Sequence, residues 1–452
     1  MPNGRVALLE RLRRRLAAVD PVLEMALLGV LTGVLTGAVM LLFRAAIELP
    51  LDALLPGSGG ENFESLAPTM RAVLVIGGAL LVGLGMQRLR DEQQSVGVVH
   101  VIDRMERHGG RLPWQNAAVQ FLGGAIALLT GQSGGREGPA IHLGAAVGSL
   151  GGQHLGLPDN SIRTLVACGT AAAIAGSFNT PVAGVVFAME VVMMEYTITS
   201  FVPVILAAVV STLVSQAVFG DHTAFVVPEG IRIRSLIEYP IVAVEGFYLG
   251  ALASAFLAVV ERVTRLPLVV PWQRIAVAGL ATGCVSLVLP QVMGIGYGRV
   301  ELALVGAAPI AMLAVVGIAK LFVSALVYGL RVPVGVIGPT LVVGACAGAA
   351  FGAIVRLLAP SLASDVGIYV MLGMGAMMAA VLQAPLAALI AVVELTGTPN
   401  VARDARDRRR DDHGECAFQA ALGVPRDARS AGSHRSRRLT SRRRRGASQR
   451  ES

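Results

Sequence analysis

The sequence is poor in charged residues, aromatic residues and cysteines. Of its 452 residues, 15% are charged and 5% are aromatic, and Lys320 is the single lysine. So little charge, together with 54% hydrophobic residues and a mean hydropathy of +0.66, excludes a soluble domain and indicates a polytopic membrane protein. The scarcity of aromatic residues and the lack of alternating segments of about ten residues argue against an outer-membrane barrel.

The cysteines and the missing enzyme motifs exclude further classes. The four cysteines lack the spacing of a disulfide framework or a metal site, so the three in apolar runs are expected to be small core residues: Cys168, Cys284 and Cys346. HExxH and paired intramembrane aspartates do not occur, and the GxSxG string GQSGG at 131–135 lies between two apolar runs and not in a strand-to-helix elbow, so neither an enzyme nor a cofactor is expected. Lys320 lies within an apolar run, where it either snorkels or pairs with a membrane carboxylate.

The apolar runs predict an all-α membrane fold with many tilted and broken helices. Several runs are shorter than the roughly 20 residues that a spanning helix needs. The 53 glycines and 22 prolines interrupt others. Irregular backbone at membrane depth is tolerated only where it lines a cavity inside the protein.

The N-terminal residues 1–21 are expected to lie in the cytoplasm. They carry five arginines ahead of the first apolar run and lack a small-residue cleavage site, which favours a retained N-terminus. The basic stretch 87–111 is expected to be a loop, which the positive-inside rule places on the same side. We therefore expect a multi-pass protein of the inner (plasma) membrane.

The second half of the chain repeats the first. At an offset of 200, GREGPAIHLGAAVGSLGG (135–152) aligns with GVIGPTLVVGACAGAAFG (335–352). At an offset of 204, NTPVAGVVFAME (179–190) aligns with QAPLAALIAVVE (383–394). Small residues are common in membrane helices, but a shared Gly-Pro start, a glycine ladder and an equal Pro-to-Glu spacing go beyond that background. We expect two membrane repeats, 22–218 and 219–400, with a transport site at their interface.

The Gly-Pro motifs predict helix N-termini that face an anion. Proline is tolerated in the first helical turn, so a helix should begin near Gly138 and its counterpart in the second half. A helix N-terminus offers unpaired N–H groups and about half a unit of positive charge, which attracts an anion without holding it too tightly. The predicted site comprises Gly135, Arg136, Gly138 and Pro139 from the first motif and Gly335, Val336, Ile337, Gly338 and Pro339 from the second.

Glu137 is the candidate gate of this site. When it is ionised, its carboxylate can occupy the place of a permeant anion, and when protonated it should swing away, so it would also carry a proton. The alternative is a buried ion pair with Arg136 that only fixes the loop. His142, one turn further on, is expected to be a packed histidine, with a pH sensor as the alternative.

These motifs together resemble the CLC family of chloride channels and chloride/proton exchangers. GREGP at 135–139, GVIGP at 335–339 and FNTPVAGVVFAME at 178–190 carry the resemblance, which extends over about residues 25–400. It implies a homodimer of inverted-repeat subunits in the lipid bilayer, each with its own chloride pore, and protons as the second substrate of the exchangers. It also implies that Glu137 is the outer gate and that the amides of Val336 and Ile337 bind chloride.

The chain departs from the family pattern at Ile337, which replaces the usual Phe, and at two further positions. SVGVV at 95–99 aligns with the family's GSGIP, so Val96 replaces a hydroxyl residue, and a site at Ser95, Val96 and Gly97 must use Ser95 or backbone amides alone. Val191 stands where many exchangers carry an inner proton-accepting glutamate. The preceding residue, Glu190, is either a helix-end cap or part of a proton path, and Glu394 has the same alternatives.

Residues 401–452 differ in character from the rest. They contain 15 arginines and 7 acidic residues, a net charge of +8 that equals the net charge of the whole chain. Family members continue here with further membrane helices, the last of which supplies a tyrosine, whereas this chain has no tyrosine after Tyr369. We interpret 401–452 as an Arg-rich non-membrane tail after a truncated second repeat, either binding acidic lipid headgroups or arising from a frameshift. Nucleic-acid binding is not expected, because no fold accompanies the charge.

The sequence thus predicts chloride transport, by a passive channel or by chloride/proton antiport. Two alternatives stay open. A carrier for another small anion is one, because Val96 and Ile337 differ from the usual residues. An inserted but inactive product without its C-terminal helices is the other.

Overall fold

The computed structural model describes residues 22–55, 62–221, 224–225, 227, 238–268 and 270–397, and these described residues form one compact unit. The predicted cytoplasmic segment 1–21 and the tail 401–452 lie outside the described residues. The expectations about them therefore stay predictions.

The first half contains eight helices among the described residues. They are α1 (Val22–Leu54), α2 (Pro68–Gln87), α3 (Gly97–Arg107), α4 (Trp114–Leu129), α5 (Glu137–Leu155), α6 (Asp159–Phe178), α7 (Pro181–Phe187) and α8 (Ile198–Phe219). A π-helical turn, Ala188–Met193, extends α7. Short 3-10 turns lie at Phe63–Ser65 and Asp91–Gln94.

The second half repeats this order. Its described helices are α9 (Tyr239–Thr264), α10 (Pro271–Ser286), α11 (Tyr297–Leu304), α12 (Ile310–Gly329), α13 (Ile337–Leu358), α14 (Val366–Leu382) and α15 (Pro385–Leu395). A 3-10 turn at Pro290–Val292 precedes α11. The packing repeats as well, because α5 lies against α6 as α13 lies against α14, while α2 packs on α10 and α7 on α15 across the two halves.

Proline and glycine determine where several helices begin and how closely they approach. Pro68, Pro181, Pro271 and Pro385 each stand at the start of a helix, where the missing N–H costs nothing. Gly144 of α5 faces Gly169 of α6 so closely that a Cβ on either would overlap the carbonyl oxygen of the other. The corresponding pair in the second half, Gly344 and Gly373, makes the same contact. The glycine ladder in the sequence is therefore the seam of two equivalent helix pairs.

Seven helices among the described residues are long and apolar enough to cross a membrane. The extent of burial distinguishes central from peripheral helices. In α6, 89% of the most apolar segment is buried inside the protein, whereas in α9 only 22% is buried. A span buried on all sides must be surrounded by other helices, whereas an exposed apolar span must face lipid or another subunit. The fold therefore wraps the outer helices around α6 and its neighbours.

Two details differ from expectation. Cys168 and Cys346 are buried, as predicted, but Cys284 is exposed on α10 and is not a core residue. The basic stretch 87–111 is largely ordered rather than a plain loop, because it contains the helix α3. That helix turns Val101 and Met105 inward and keeps its charged residues outside.

Candidate functional site

The two Gly-Pro motifs meet backbone to backbone. The N–H of Gly135 donates to the carbonyl of Gly335 at 2.8 Å, and the N–H of Gly335 returns a bond of 2.6 Å, which forms an isolated antiparallel bridge. A Cβ on Gly138 would lie 2.8 Å from the Cα of Gly335. Only glycine allows the two backbones to come this close. The symmetric motifs therefore share one interface.

Both helices begin within these motifs. Pro139 and Pro339 are each the third helical residue, of α5 and of α13. The intrahelical ladder starts with the N–H of Ala140 on the Arg136 carbonyl and the N–H of Thr340 on the Val336 carbonyl. N–H groups ahead of that point have no acceptor within the helix. The two N-termini thus bring partial positive charge to the shared interface.

The Glu137 carboxylate lies against the N-terminus of the other half's helix. It is 1% exposed, and the N–H groups of Glu137 itself and of Gly338 face it. A Cβ on Gly338 would lie 2.8 Å from Glu137 Oε1, and one on Gly135 would overlap Oε2. Tyr297 Oη donates a hydrogen bond of 3.0 Å to Oε1. The Glu137 carboxyl group thus lies at the N-terminus of α13, where the sequence predicts an anion site.

Arg136 is directed away from this carboxylate. Its Nη1 lies 3.2 Å from Glu48 Oε1, and its guanidinium sits 5.3 Å from the centre of the Phe178 ring. Arg44 contacts the same glutamate at 2.7 Å. The alternative in which Arg136 and Glu137 form a loop-fixing ion pair is not what the structure contains, since Glu48 takes that part.

Two cavities adjoin the Glu137 region. The wide cavity, about 720 Å³, is lined by charged residues of both signs, among them Arg44, Glu48, Arg136, Arg299 and Glu301. The narrow cavity, about 30 Å³, touches Glu137 and is otherwise almost entirely apolar. It is lined by Ile174, Phe178, Thr180, Ala183, Phe187, Tyr297, Ile337, Leu341, Met378, Ala387, Ala391 and Leu395. Glu137 and Tyr297 are therefore the only ionisable side chains in its described lining.

A family model described as voltage gated chloride channel matches residues 78–403. The chain belongs to this CLC family. An H(+)/Cl(-) exchange transporter ClcA of Vibrio campbellii is 27% identical over 383 residues, which cover 82% of this chain and 81% of the relative. The corresponding ClcA of Vibrio cholerae is also 27% identical, over 386 residues, at the same coverage.

Solved structures share the fold of this CLC protein. A slow cyanobacterial Cl-/H+ antiporter matches with a TM-score of 0.72 and 23% identity, over 84% of this chain and 90% of that chain. A CLC-type fluoride/proton antiporter matches with a TM-score of 0.71 and 21% identity, over 84% and 92%. The prediction of an all-α, polytopic CLC-type fold is confirmed.

Ser95, Val96 and Gly97 do not line the narrow cavity in the described residues. Val96 stands directly before α3 and its side chain makes no capping hydrogen bond, while the N–H of Gly97 donates to Gln120 Oε1 at 2.7 Å. The carbonyl of Ser95 accepts from Asn116 at 2.8 Å. The N-terminus of α3 is thus partly satisfied by the side chain of Gln120.

The two glutamates at the ends of the repeated blocks cap helices of the opposite half. Glu190 accepts from the N–H groups of Leu386 (3.3 Å) and Ala387 (2.7 Å) at the start of α15. Glu394 accepts from Val182 (3.1 Å) and Ala183 (2.7 Å) at the start of α7. The helix-cap interpretation of both residues agrees with this geometry, and a role of Glu190 in a proton path stays a prediction.

Two polar residues beside the candidate site are not predicted by the sequence motifs. Tyr297 stands among glycines at 294–298 and belongs to no repeated motif, so its contact with Glu137 depends on tertiary structure alone. Gln120 is fully buried in α4 and bridges the N–H of Gly97 to the Pro333 carbonyl, to which its Nε2 donates at 3.0 Å. A buried glutamine in an apolar run was a usable cue, because polar groups at membrane depth require partners.

His142 is the packed histidine that the sequence favoured. Its Nε2 lies 2.9 Å from His100 Nδ1, and Arg104 Nε donates to His100 Nε2 at 3.2 Å. Because Arg104 can only donate, His100 Nε2 must accept, which places the His100 proton on Nδ1, toward His142. Burial, followed by the positive charge of Arg104, lowers the pKa of His100 to about 4. His100 lies on α3, which is not among the helices long enough to span a membrane.

Lys320 does not extend its ammonium group to the membrane surface. It is fully buried in α12, and its Nζ donates to the carbonyls of Val292 (3.0 Å) and Gly294 (2.6 Å). A buried ammonium needs such acceptors. The bonds fasten the segment that leads into Tyr297.

Proposed function

We propose that this CLC-family chain transports chloride across the membrane and that Glu137 gates the path. Relatives over four-fifths of the chain are named chloride/proton exchange transporters. The observation that carries the proposal is the position of the Glu137 carboxylate against the α13 N-terminus, beside the N–H of Gly338. A place that accommodates a carboxylate through N–H groups and a helix dipole suits a halide for the same electrostatic reason.

The gating follows from competition for one place. Ionised Glu137 fills the α13 N-terminus and excludes chloride. Protonated Glu137 carries no charge, loses its attraction to the helix dipole and yields the position to the anion. The N–H groups of Val336, Ile337 and Gly338 then hold chloride through partial charges, which bind weakly enough for it to leave.

Proton coupling is the open part of this function. Val191 offers no titratable group next to Glu190, and both oxygens of Glu190 are engaged with the α15 N-terminus. These features support an anion path without a second proton acceptor at that position. The relatives named as exchangers favour coupling of chloride to protons. The reversal potential distinguishes a passive channel from an exchanger.

The assembly we propose is a homodimer in the inner membrane, with a cytoplasmic N-terminus. Large apolar side chains remain exposed on α7, α8 and α15, including Val182 (53%), Leu213 (58%) and Leu389 (63%). Such faces are stable only against lipid or another protein surface. The family resemblance assigns part of them to a second copy of the chain.

The test is the reversal potential of the full chain reconstituted in liposomes under crossed chloride and pH gradients. A potential that follows the chloride gradient supports chloride transport, and it assigns a passive channel if the pH gradient leaves it unchanged. A potential that also shifts with the pH gradient assigns exchange. No chloride flux from folded, inserted protein would contradict the proposal, and replacing chloride with fluoride or nitrate on one side measures anion preference.

A further inference from the structure

Tyr297 is held rigidly at the first position of α11. Gly296, just before it, adopts a left-handed conformation with φ of 87°, which turns the chain sharply into the helix. Lys320 fixes the carbonyls of the preceding segment. The Tyr297 ring also meets the Phe225 ring edge-on, with 5.0 Å between centroids. The phenol therefore has a defined place.

This phenol reaches from the second half to the gate residue of the first. Tyr297 Oη is 3.0 Å from Glu137 Oε1. An O–H that donates to an ionised carboxylate makes a charge-assisted bond, which is about twice as strong as a bond between neutral groups. The bond thus stabilises Glu137 in its seated, ionised form more than in its protonated form.

Tyr297 also separates the two cavities. Among the described lining residues, it is the one that the wide and narrow cavities share. Glu137 lines the narrow cavity, whereas Arg136 and Glu48 line the wide one. The Tyr297 side chain therefore borders both cavities.

We propose that Tyr297 is the second member of the gate: its hydroxyl latches the ionised Glu137 carboxylate in the α13 N-terminus, and its ring closes the passage between the two cavities. This inference rests on the proposed chloride transport and assigns a positioning role to Tyr297. Protonation makes the Glu137 carboxyl group a weaker hydrogen-bond acceptor. The bond from Tyr297 therefore breaks as the carboxyl group leaves the α13 N-terminus. Chloride then enters past a phenol that is no longer engaged.

The Glu137 carboxylate meets few other charges on the side of the narrow cavity, whereas the wide cavity that Tyr297 also lines carries Arg44, Glu48, Glu64, Arg136, Arg299 and Glu301. Arg136 is the charged group that acts on the Glu137 carboxylate. The described residues of α6, α7, α13, α14 and α15 that line the narrow cavity carry no titratable group. The pH dependence of the gate is therefore a property of Glu137, modulated by Tyr297 and Arg136.

The experiment compares chloride flux between pH 5 and pH 8 for wild type, Tyr297→Phe, Glu137→Gln and the double variant in liposomes. Phenylalanine keeps the ring and its contact with Phe225 but removes the hydroxyl. We expect flux at pH 7.5 to rise several-fold in Tyr297→Phe, with its midpoint shifted to higher pH by about one unit, a tenfold change in proton affinity. Tyr297→Ala, which also removes the ring, should raise flux at pH 8 further.

The double variant separates a latch from a merely structural role. In the Glu137→Gln background there is no charge to latch, so adding Tyr297→Phe should leave the flux profile unchanged. Tyr248→Phe, half-exposed on α9, is the matched control and should behave as wild type. An unshifted profile in Tyr297→Phe, or an equal change in both backgrounds, overturns the inference. Absence of flux in wild type would instead refute the proposed function.

Discussion

Glu137 is an ionisable residue whose surroundings consist of backbone N–H groups, one phenol and apolar side chains. At 1% exposure it has lost nearly all contact with water. Its neighbours Gly135 and Gly338 lack side chains at the points where a Cβ would collide with the carboxylate. The glycines of the two motifs therefore make room for a charged group at a helix N-terminus.

Replacing Glu137 with Gln should remove the pH dependence of chloride flux. Wild-type flux is expected to rise as pH falls, because protonation neutralises the carboxylate and frees the α13 N-terminus. Glutamine mimics the neutral form at every pH, so the variant should conduct at all pH values between 5 and 8. Liposome flux assays across this range provide the measurement.

His100 and Glu106 provide the comparisons for that assay. With its pKa lowered to about 4, His100 stays neutral throughout the range and cannot generate the dependence. Glu106→Gln, exposed on α3, removes one acid without touching the site and should retain the wild-type profile. A Glu137→Gln profile that still follows pH would remove Glu137 from the gate.

Residues in repeated motifs were predictable, and residues joined only by tertiary structure were not. The sequence placed Glu137, Gly138 and Gly338 together because the two halves align. It named the amides of Val336 and Ile337 as ligands, whereas the Gly338 N–H faces the carboxylate. No local pattern connects Tyr297 with a residue 160 positions away.

Among the helices, α7 and α15 are each capped by a glutamate from the other half. In Glu190→Ala or Glu394→Ala, two N–H groups lose a carboxylate acceptor, and losing a cap costs about 0.5–2 kcal/mol of stability. We expect each variant to lower the free energy of unfolding in detergent by about 1–2 kcal/mol, because the lost bonds are charge-assisted.

Denaturant titration checks the caps, with Glu261→Ala as control. Glu261 forms an exposed ion pair with Arg265, of a kind that contributes little. The pseudo-symmetry predicts similar losses at Glu190 and Glu394. Losses no larger than that of Glu261→Ala would show that the caps do not stabilise the interface between the halves.

The α5–α6 seam depends on glycine at one position of α5 and not at another. A Cβ on Gly144 would overlap the Gly169 carbonyl, whereas a Cβ on Gly151 meets nothing within 4 Å. Overpacking costs about 1–3 kcal/mol, so Gly144→Ala should destabilise by at least that much. Gly151→Ala should be neutral or stabilise by about 0.5–1 kcal/mol, since alanine favours the helix.

The same unfolding titration decides this prediction, and Gly344→Ala repeats it in the second half. Because Gly344 faces Gly373 as Gly144 faces Gly169, the two variants should lose comparable stability. Equal stability of Gly144→Ala and Gly151→Ala would contradict the close approach of the helices.

For the whole molecule, composition and the internal repeat sufficed to predict the class and its symmetry. Apolar runs with frequent glycine and proline indicated broken helices, and the offset of about 200 residues indicated two halves that meet at their motifs. The exposure of Cys284 and the helix within 87–111 were not predictable, because both depend on which face a neighbouring element covers. The polar bridge from Gln120 to Gly97 and Pro333 likewise exists only after the halves have packed.

The central claim is that Glu137 and the permeant anion compete for the N-terminus of α13. The most direct measurement is a crystal structure of Glu137→Gln grown in bromide, with the anomalous signal of bromide as the marker. The account predicts a bromide beside the Gly338 N–H, in the place that the wild-type carboxylate fills. Bromide bound only elsewhere, with this position empty, would contradict it.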